Sequence, residues 1–222
     1  MDKAKYIKIL EAHASDRHRP YENALNDFMD FLLGYFSEDA YQGNGSHYKQ
    51  HIRTCASTEP DFTALALMWL DDVARAMERG RWLDVFGELY EEMYLCRGKA
   101  SKTGQFFTPA SVSDLCAQML QPGKDGVTVS DCAAGSGRLL LSHFIAAENY
   151  QANAGRRYRY IAQDSDPVAC KMCALNMMVH GMAGVVKCAD TLEGGTPSVV
   201  YHINEVRYPF PSPFYSVRTA KR

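Results

Sequence analysis

Residues 127–141 hold the sequence feature that most restricts what this chain can fold into. A short β-branched run at the start of this stretch predicts a buried strand, and Asp131 follows it. A turn with Gly135 and Gly137 then leads into an apolar helical run. In open α/β sheets, ligands bind beyond the carboxyl ends of the strands, where glycines let the backbone approach closely. The stretch therefore predicts a cradle for a nucleotide or nucleoside, with an ordinary strand–helix turn as the alternative.

Two details of the turn narrow the choice of ligand. Leu140 stands where the third glycine of the dinucleotide fingerprint would be, which disfavours a pyrophosphate cofactor. Asp131, which precedes the glycines, fits a ligand that carries a positive charge.

The same residues carry a family resemblance. Asp131-Cys-Ala-Ala-Gly-Ser-Gly137 closely resembles the Asp-Pro-Ala-Ala-Gly-Ser-Gly motif of adenine-specific DNA methyltransferases, in particular the modification subunits of type I restriction–modification systems. The resemblance implies S-adenosylmethionine as the cofactor. The motif residues that it implies as cofactor contacts are Asp131, Ala133, Gly135 and Gly137.

A second motif precedes the first in the order that the family has. Thr108 and Pro109 are typical of a helix start, which does not explain the two phenylalanines before them. Gly104-Gln-Phe-Phe-Thr-Pro109 matches a signature of the same methyltransferases without a mismatch. In that family the segment lies against the cofactor, so the resemblance implies Phe106, Phe107 and Thr108 as contacts.

A second strand is predicted around Tyr160 and ends at Gln163-Asp-Ser-Asp-Pro167. An acid at the end of such a strand can accept hydrogen bonds from both ribose hydroxyls of a nucleoside, and Asp164 stands at that position. Asp166 with Pro167 instead resembles a cap and first-turn pair that starts the next helix.

The third strand is predicted over residues 185–190. The resemblance implies that Asp190 accepts a hydrogen bond from the adenine amine of the cofactor. Asn176 and His180-Gly181 resemble the family's Asn-x-x-x-His-Gly helix end, although helix surface and helix cap explain them equally well.

The acceptor site is where the sequence departs from the family. Methyl transfer to the amine of adenine needs acceptors for its protons and a pocket for the flipped base. The family supplies both with Asn/Asp-Pro-Pro-Phe/Tyr after the fourth strand, and this tetrapeptide is absent. If residues 199–203 form a fourth parallel strand, Asn204 stands where the motif should begin. Tyr215, at the end of Ser212-Pro-Phe-Tyr215, is the other catalytic candidate.

The chain before residue 100 is predicted to be a helical domain, because aromatic and aliphatic residues recur at spacings of three and four. Residues 101–222 are predicted to form an S-adenosylmethionine-binding α/β domain, Rossmann-like with a parallel sheet, short and C-terminally incomplete. The stretch Asp84-Val-Phe-Gly-Glu-Leu-Tyr-Glu resembles the helix that precedes the cofactor domain in type I modification subunits.

Charge and cysteine usage bear on the expected partners and cellular location. The net charge of −2 divides into −5 for residues 1–100 and +3 for residues 101–222, which is compatible with a nucleic-acid partner. Seven unclustered cysteines and no leader or bilayer-length apolar run predict a cytoplasmic protein with reduced thiols. Cys170-x-x-Cys173 has metal-like spacing but falls within a predicted helix without a companion pair, so no metal is expected.

Three functions remain open from the sequence. The first is an adenine-specific DNA methyltransferase of the type I modification class. By resemblance it would act on DNA together with a specificity subunit, and it is not expected to catalyse the transfer alone. The second is a non-catalytic family member that binds cofactor or a partner. The third is a methyltransferase that acts on protein or a small molecule.

Overall fold

The computed structural model describes residues 1–16, 18, 20–37, 59–95, 107–120, 126–147, 158–205 and 216–221. In the first part of the chain, the described ranges contain four helices: α1 (Lys3–Asp16), α2 (Tyr21–Tyr35), α3 (Glu59–Glu78) and α4 (Val85–Leu95). No helix in these ranges combines the length and the apolar character that crossing a bilayer requires.

The predicted apolar stripes form the core of this helical part. In α3, Phe62, Leu65 and Trp69 are fully buried, and their spacing of three and four places them on one face. Phe28 of α2 and Phe86 of α4 meet this face, with ring centroids 5.4 Å from Phe62 and 5.5 Å from Trp69 respectively. The stripes are therefore core packing.

The second part alternates helices and strands: α5 (Ala110–Leu120), β1 (Thr128–Asp131), α6 (Arg138–Ala146), β2 (Arg159–Asp164), α7 (Pro167–Val179), β3 (Gly184–Cys188), β4 (Val199–Ile203) and β5 (Val217–Lys221). The strands form one sheet in the order β1-β2-β3-β4-β5. Strands β1, β2 and β3 are parallel, so their carboxyl ends lie along one edge.

The expectation of a wholly parallel sheet is wrong at β4. Strand β4 pairs with β3 in the antiparallel direction, with Cys188 opposite Val199 and Gly184 opposite Ile203, and β5 is antiparallel to β4. A parallel return needs a crossover of a dozen or more residues, usually through a helix. The connection 189–198 is shorter and contains no helix, so the chain turns straight back along β3.

Helix α7 joins the two parts of the molecule. Apolar residues are distributed around the whole helix, and most of its residues are buried, as expected of a helix covered on most faces. The Nζ atom of its charged residue Lys171 lies 2.6 Å from Asp30 Oδ1 and donates to Asn26 Oδ1 at 2.9 Å. Both partners are on α2. The predicted domain boundary at residue 100 falls outside the described residues, so the division into 1–100 and 101–222 stays a prediction.

Candidate cofactor site

The glycine turn lies between β1 and α6, at the carboxyl edge of the parallel strands. Gly135 and Gly137 have φ of 54° and 91°, which residues with a side chain rarely adopt. A Cβ at Gly135 would be 3.0 Å from the Phe107 ring, and one at Gly137 would be 2.9 Å from Cys173 Sγ. Backbone conformation and close neighbouring side chains thus both favour glycine at the two positions.

Asp131 lies at the end of β1 and uses only one of its carboxylate oxygens within the described structure. Its Oδ1 accepts a hydrogen bond from the Ala133 amide at 3.1 Å. Its Oδ2 is buried and has no partner among the described residues. A buried acceptor without a partner is costly, so this oxygen suits a ligand that brings a donor.

Asp164, at the end of β2, holds the glycine turn directly. Its Oδ2 accepts from the Gly135 amide and its Oδ1 from the Asp166 amide, both at 2.9 Å. Asp166 caps α7 by accepting from the Val168 amide at 3.0 Å, with Pro167 in the first turn, which confirms the predicted cap and first-turn roles of this pair.

Asp190 lies two residues beyond β3, at the same edge. It is exposed, and its Oδ1 accepts from the Leu192 amide at 2.8 Å. Thr191 links the loop after β3 to the glycine turn and to the end of β2. Its hydroxyl donates to the Cys132 carbonyl at 2.6 Å and accepts from the Gln163 side chain amide at 2.9 Å. The linking role of Thr191 has no counterpart in the sequence motifs.

Phe107 and Thr108 lie beside the glycine turn, and Phe106 lies outside the described residues. Phe107 lines a small cavity of about 40 Å³ together with Thr108, Ala133, Ala134, Gly135, Ser136, Arg138 and Leu139. The structure thus brings the two predicted cofactor motifs together. In the described ranges no group of three His, Cys, Asp or Glu side chains could hold a metal ion.

The structure does not bring Asn204, one of the two catalytic candidates, to this edge. Because β4 is antiparallel, Asn204 lies at the opposite edge of the sheet. It is buried, donates to the Met178 and Met182 carbonyls at 3.0 and 2.9 Å, and accepts from the Ser216 amide at 2.9 Å. Its side chain joins structural elements, and Tyr215 lies outside the described residues.

A buried network, which sequence reasoning missed, adjoins the turn. The fully buried carboxylate of Asp84 accepts hydrogen bonds from the Ser136 hydroxyl, from Arg138 Nε at 2.7 Å, from Asn176 at 2.7 Å and from the Gly87 amide at 2.8 Å. A Cβ at Gly87 would overlap this carboxylate, which accounts for glycine there. Three of the stretches that resemble the family therefore meet at Asp84.

His180 links α7 to the loop before α4. Its Nε2 accepts from the Leu83 amide at 3.2 Å, so Nδ1 carries the proton and donates to the Asn176 carbonyl at 2.7 Å. Burial lowers the pKa of His180 to about 4, against smaller opposing effects of the Asn176 carbonyl and Asp84. The ring is therefore neutral in the folded protein at pH 7.

Acid is expected to destabilise the fold through His180. An unfolded histidine titrates near pH 6.5 and the folded one near 4. Between these values the unfolded chain binds the proton more strongly, so the free energy of unfolding falls as the pH falls through this window and levels off below it. The loss is on the order of 3 kcal/mol. Urea unfolding at pH 7 and pH 4 measures it.

His180→Gln is the control, because glutamine can accept from the Leu83 amide but does not titrate. The variant should lose clearly less stability than the parent between the two pH values. Equal losses would show that other groups cause the acid sensitivity.

The candidate site of this α/β protein therefore combines a glycine turn with three acids, of which two end parallel strands and the third follows the next strand by two residues. A family model described as N-6 DNA methylase matches residues 81–212, which is more than half of the chain. The chain belongs to this family. The matched range includes Asp84, the glycine turn and all three acids.

Curated relatives agree with this assignment. The methylase subunit of the type I restriction enzyme MjaIX from Methanocaldococcus jannaschii is 30% identical over 113 residues, which is 49% of this chain and 19% of the relative. The HindI methylase subunit of Haemophilus influenzae is 32% identical over 103 residues, 45% of this chain and 22% of the relative. The MpnII methylase subunit of Mycoplasma pneumoniae is 32% identical over 104 residues, which is 45% of this chain and 18% of the relative. The chain thus spans about a fifth of the length of these relatives.

Proposed function

We propose that the carboxyl edge of β1, β2 and β3 binds S-adenosylmethionine, in a short Rossmann-like domain preceded by a helical one. The observation that carries this proposal is that Asp131 and Asp164 bond the glycine-turn segment, with Phe107 beside it, and that the loop of Asp190 is joined to the same segment through Thr191. When bound, the cofactor supplies an activated methyl group on a positively charged sulfur.

Each acid has a separate proposed role. Asp131 would hold the positively charged amine of the cofactor, because its Oδ2 is buried and lacks a donor among the described residues. Asp164 would accept from the ribose hydroxyls, since each carboxylate oxygen keeps a lone pair after accepting one backbone amide. Asp190 would accept from the adenine amine, and Phe107 and Thr108 would contact the cofactor from the other side of the turn.

Cofactor binding is tested by a thermal scan. A ligand that binds only the folded chain stabilises it by about 2.7 kcal/mol at a hundred times its dissociation constant. S-adenosylmethionine or its demethylated product should therefore raise the melting temperature of the parent. No shift with either compound at millimolar concentration would refute the proposal.

Asp164 and Asp166 should differ in their effects on the cofactor. Asp164→Ala removes hydrogen bonds to a charged group worth roughly 1.5–3 kcal/mol, so affinity should fall by about tenfold to a hundredfold. Asp166→Ala should mainly lower the free energy of unfolding, by about 1 kcal/mol, through loss of the α7 cap. Calorimetric titration and urea unfolding separate the two effects. Equal affinity in the Asp164 variant and the parent would contradict this assignment.

The proposed class is an adenine-specific DNA methyltransferase-like protein of the type I modification kind, with DNA and a specificity subunit as proposed partners. Its support is the family membership together with relatives that are named as type I methylase subunits. A non-catalytic role within the class is favoured by one observation: Asn204 lies at the edge opposite the three acids, with its side chain amide in structural contacts.

A further inference from the structure

Arg138 connects the glycine turn to the helical part of the chain. It is the first residue of α6, directly after Gly137, and its side chain is 7% exposed. Its Nη1 and Nη2 donate to the two carboxylate oxygens of Glu91 at 2.9 and 3.0 Å, and its Nε donates to Asp84. Two acids thus hold the guanidinium group: Asp84, which directly precedes α4, and Glu91, which lies within α4.

The same guanidinium also holds the second cofactor motif. Arg138 Nη1 donates to the Thr108 carbonyl at 3.3 Å, and the guanidinium carbon lies 5.5 Å from the centre of the Phe107 ring. Burial works against the charged form, but Asp84 and Glu91 outweigh it and raise the pKa of Arg138. One side chain therefore ties residues 107–108 to the turn at 135–137.

Asp84 also holds the glycine turn through Ser136. The Ser136 hydroxyl donates to Asp84. The side chain amide of Asn176 donates both to the Ser136 carbonyl, at 2.9 Å, and to Asp84. Buried ion pairs add little net stability over apolar packing, but their hydrogen bonds fix orientation where the geometry is satisfied. The arrangement is suited to fixing the position of the turn.

We propose that Asp84 and Glu91 are positioning residues that set the geometry of the glycine turn through Arg138. They do not reach the ligand edge themselves: their described contacts are with Arg138, Ser136, Asn176 and the start of α4. The inference rests on the proposed function, because it concerns the turn that we propose binds S-adenosylmethionine.

Glu91→Gln is the variant to test, because Asp84 is fully buried whereas the Glu91 side chain is one-third exposed. Lys171→Gln is the matched control. It also breaks a charged contact between the helical part and the α/β part, but the described partners of Lys171 are on α2 and not at the turn. Both exchanges replace a charged side chain by a neutral amide.

Two measurements decide the proposal. Without cofactor, amide hydrogen exchange at Gly135, Ser136 and Gly137 should be about tenfold faster in Glu91→Gln than in the parent and unchanged in Lys171→Gln. Affinity for S-adenosylmethionine, measured by calorimetry well below the melting temperature, should fall about tenfold in Glu91→Gln alone.

The proposal is overturned if exchange at the turn or affinity changes no more in Glu91→Gln than in Lys171→Gln. If the parent binds no cofactor, the proposed function fails, and the exchange comparison alone then decides whether the network positions the turn. A merely structural role would lower the melting temperature of both variants and leave both readouts of the folded protein unchanged.

Discussion

Replacing Asp84 with alanine is expected to lower the free energy of unfolding by about 3–5 kcal/mol, because it removes one partner of a buried ion pair. Asp84 is fully buried, and Arg138 beside it is 7% exposed, so bulk solvent screens this pair little in the folded protein. The change also leaves donors of Ser136 and Asn176 without their acceptor. Urea unfolding followed by circular dichroism gives the free energy.

An exposed ion pair provides the matched comparison. Asp71 lies 2.6 Å from Arg75 on α3, but the two side chains are 56% and 64% exposed. Pairs of this kind contribute about 0–1 kcal/mol, so Asp71→Ala should change stability very little. If Asp84→Ala cost no more than Asp71→Ala, the network would be incidental to the fold.

Local sequence patterns were sufficient to predict where the acids and the glycines of the candidate site lie in the fold. The Asp166–Pro167 start of α7 depends on residues that adjoin in sequence, and the glycine turn depends on backbone conformations that only glycine adopts readily. Since parallel strands end at one edge, placing Asp131 and Asp164 at strand ends was enough to bring them together.

The direction of β4 could not be obtained in this way. Residues 199–203 have the same alternation whether the strand runs parallel or antiparallel to β3, because side chains alternate with period two in both cases. What decides the direction is the connection 189–198, which is too short for a helical crossover. The sequence-based placement of Asn204 failed for this reason.

Arg138 was missed because its partners are distant in sequence. At the start of a helix an arginine predicts only a solvated side chain, and nothing local indicates that Asp84 and Glu91 lie beside it. A usable signal was present: these two acids stand seven residues apart, on one face of a helix, in an apolar stretch that resembles the family. Two carboxylates on the buried side of a helix require a cationic partner.

We expect that this chain, purified alone, will not transfer a methyl group to adenine in duplex DNA above background. The amine of adenine is a weak nucleophile whose protons must be held by acceptors while the base is flipped out, which itself costs a few kcal/mol. The sequence contains no Asn/Asp-Pro-Pro-Phe/Tyr tetrapeptide. Asn204, the expected substitute, lies at the sheet edge opposite Asp131, Asp164 and Asp190.

The magnitude follows from the number of interactions lost. Each 1.36 kcal/mol of missing transition-state stabilisation slows the reaction tenfold, so losing two acceptors and a stacking side chain together brings turnover near background. Transfer of a radiolabelled methyl group to unmethylated DNA measures it, with Asp131→Ala as the blank. Asn204→Ala is the decisive companion variant. Among the described residues, the Asn204 amide bonds the backbone groups of Met178, Met182 and Ser216, so its loss should reduce stability by about 1–3 kcal/mol and leave cofactor affinity unchanged. If label appears in adenine above the blank, and if Asn204→Ala abolishes this label, the acceptor site is at Asn204 despite the antiparallel strand. If no label appears while the chain still binds cofactor, the result favours the non-catalytic role.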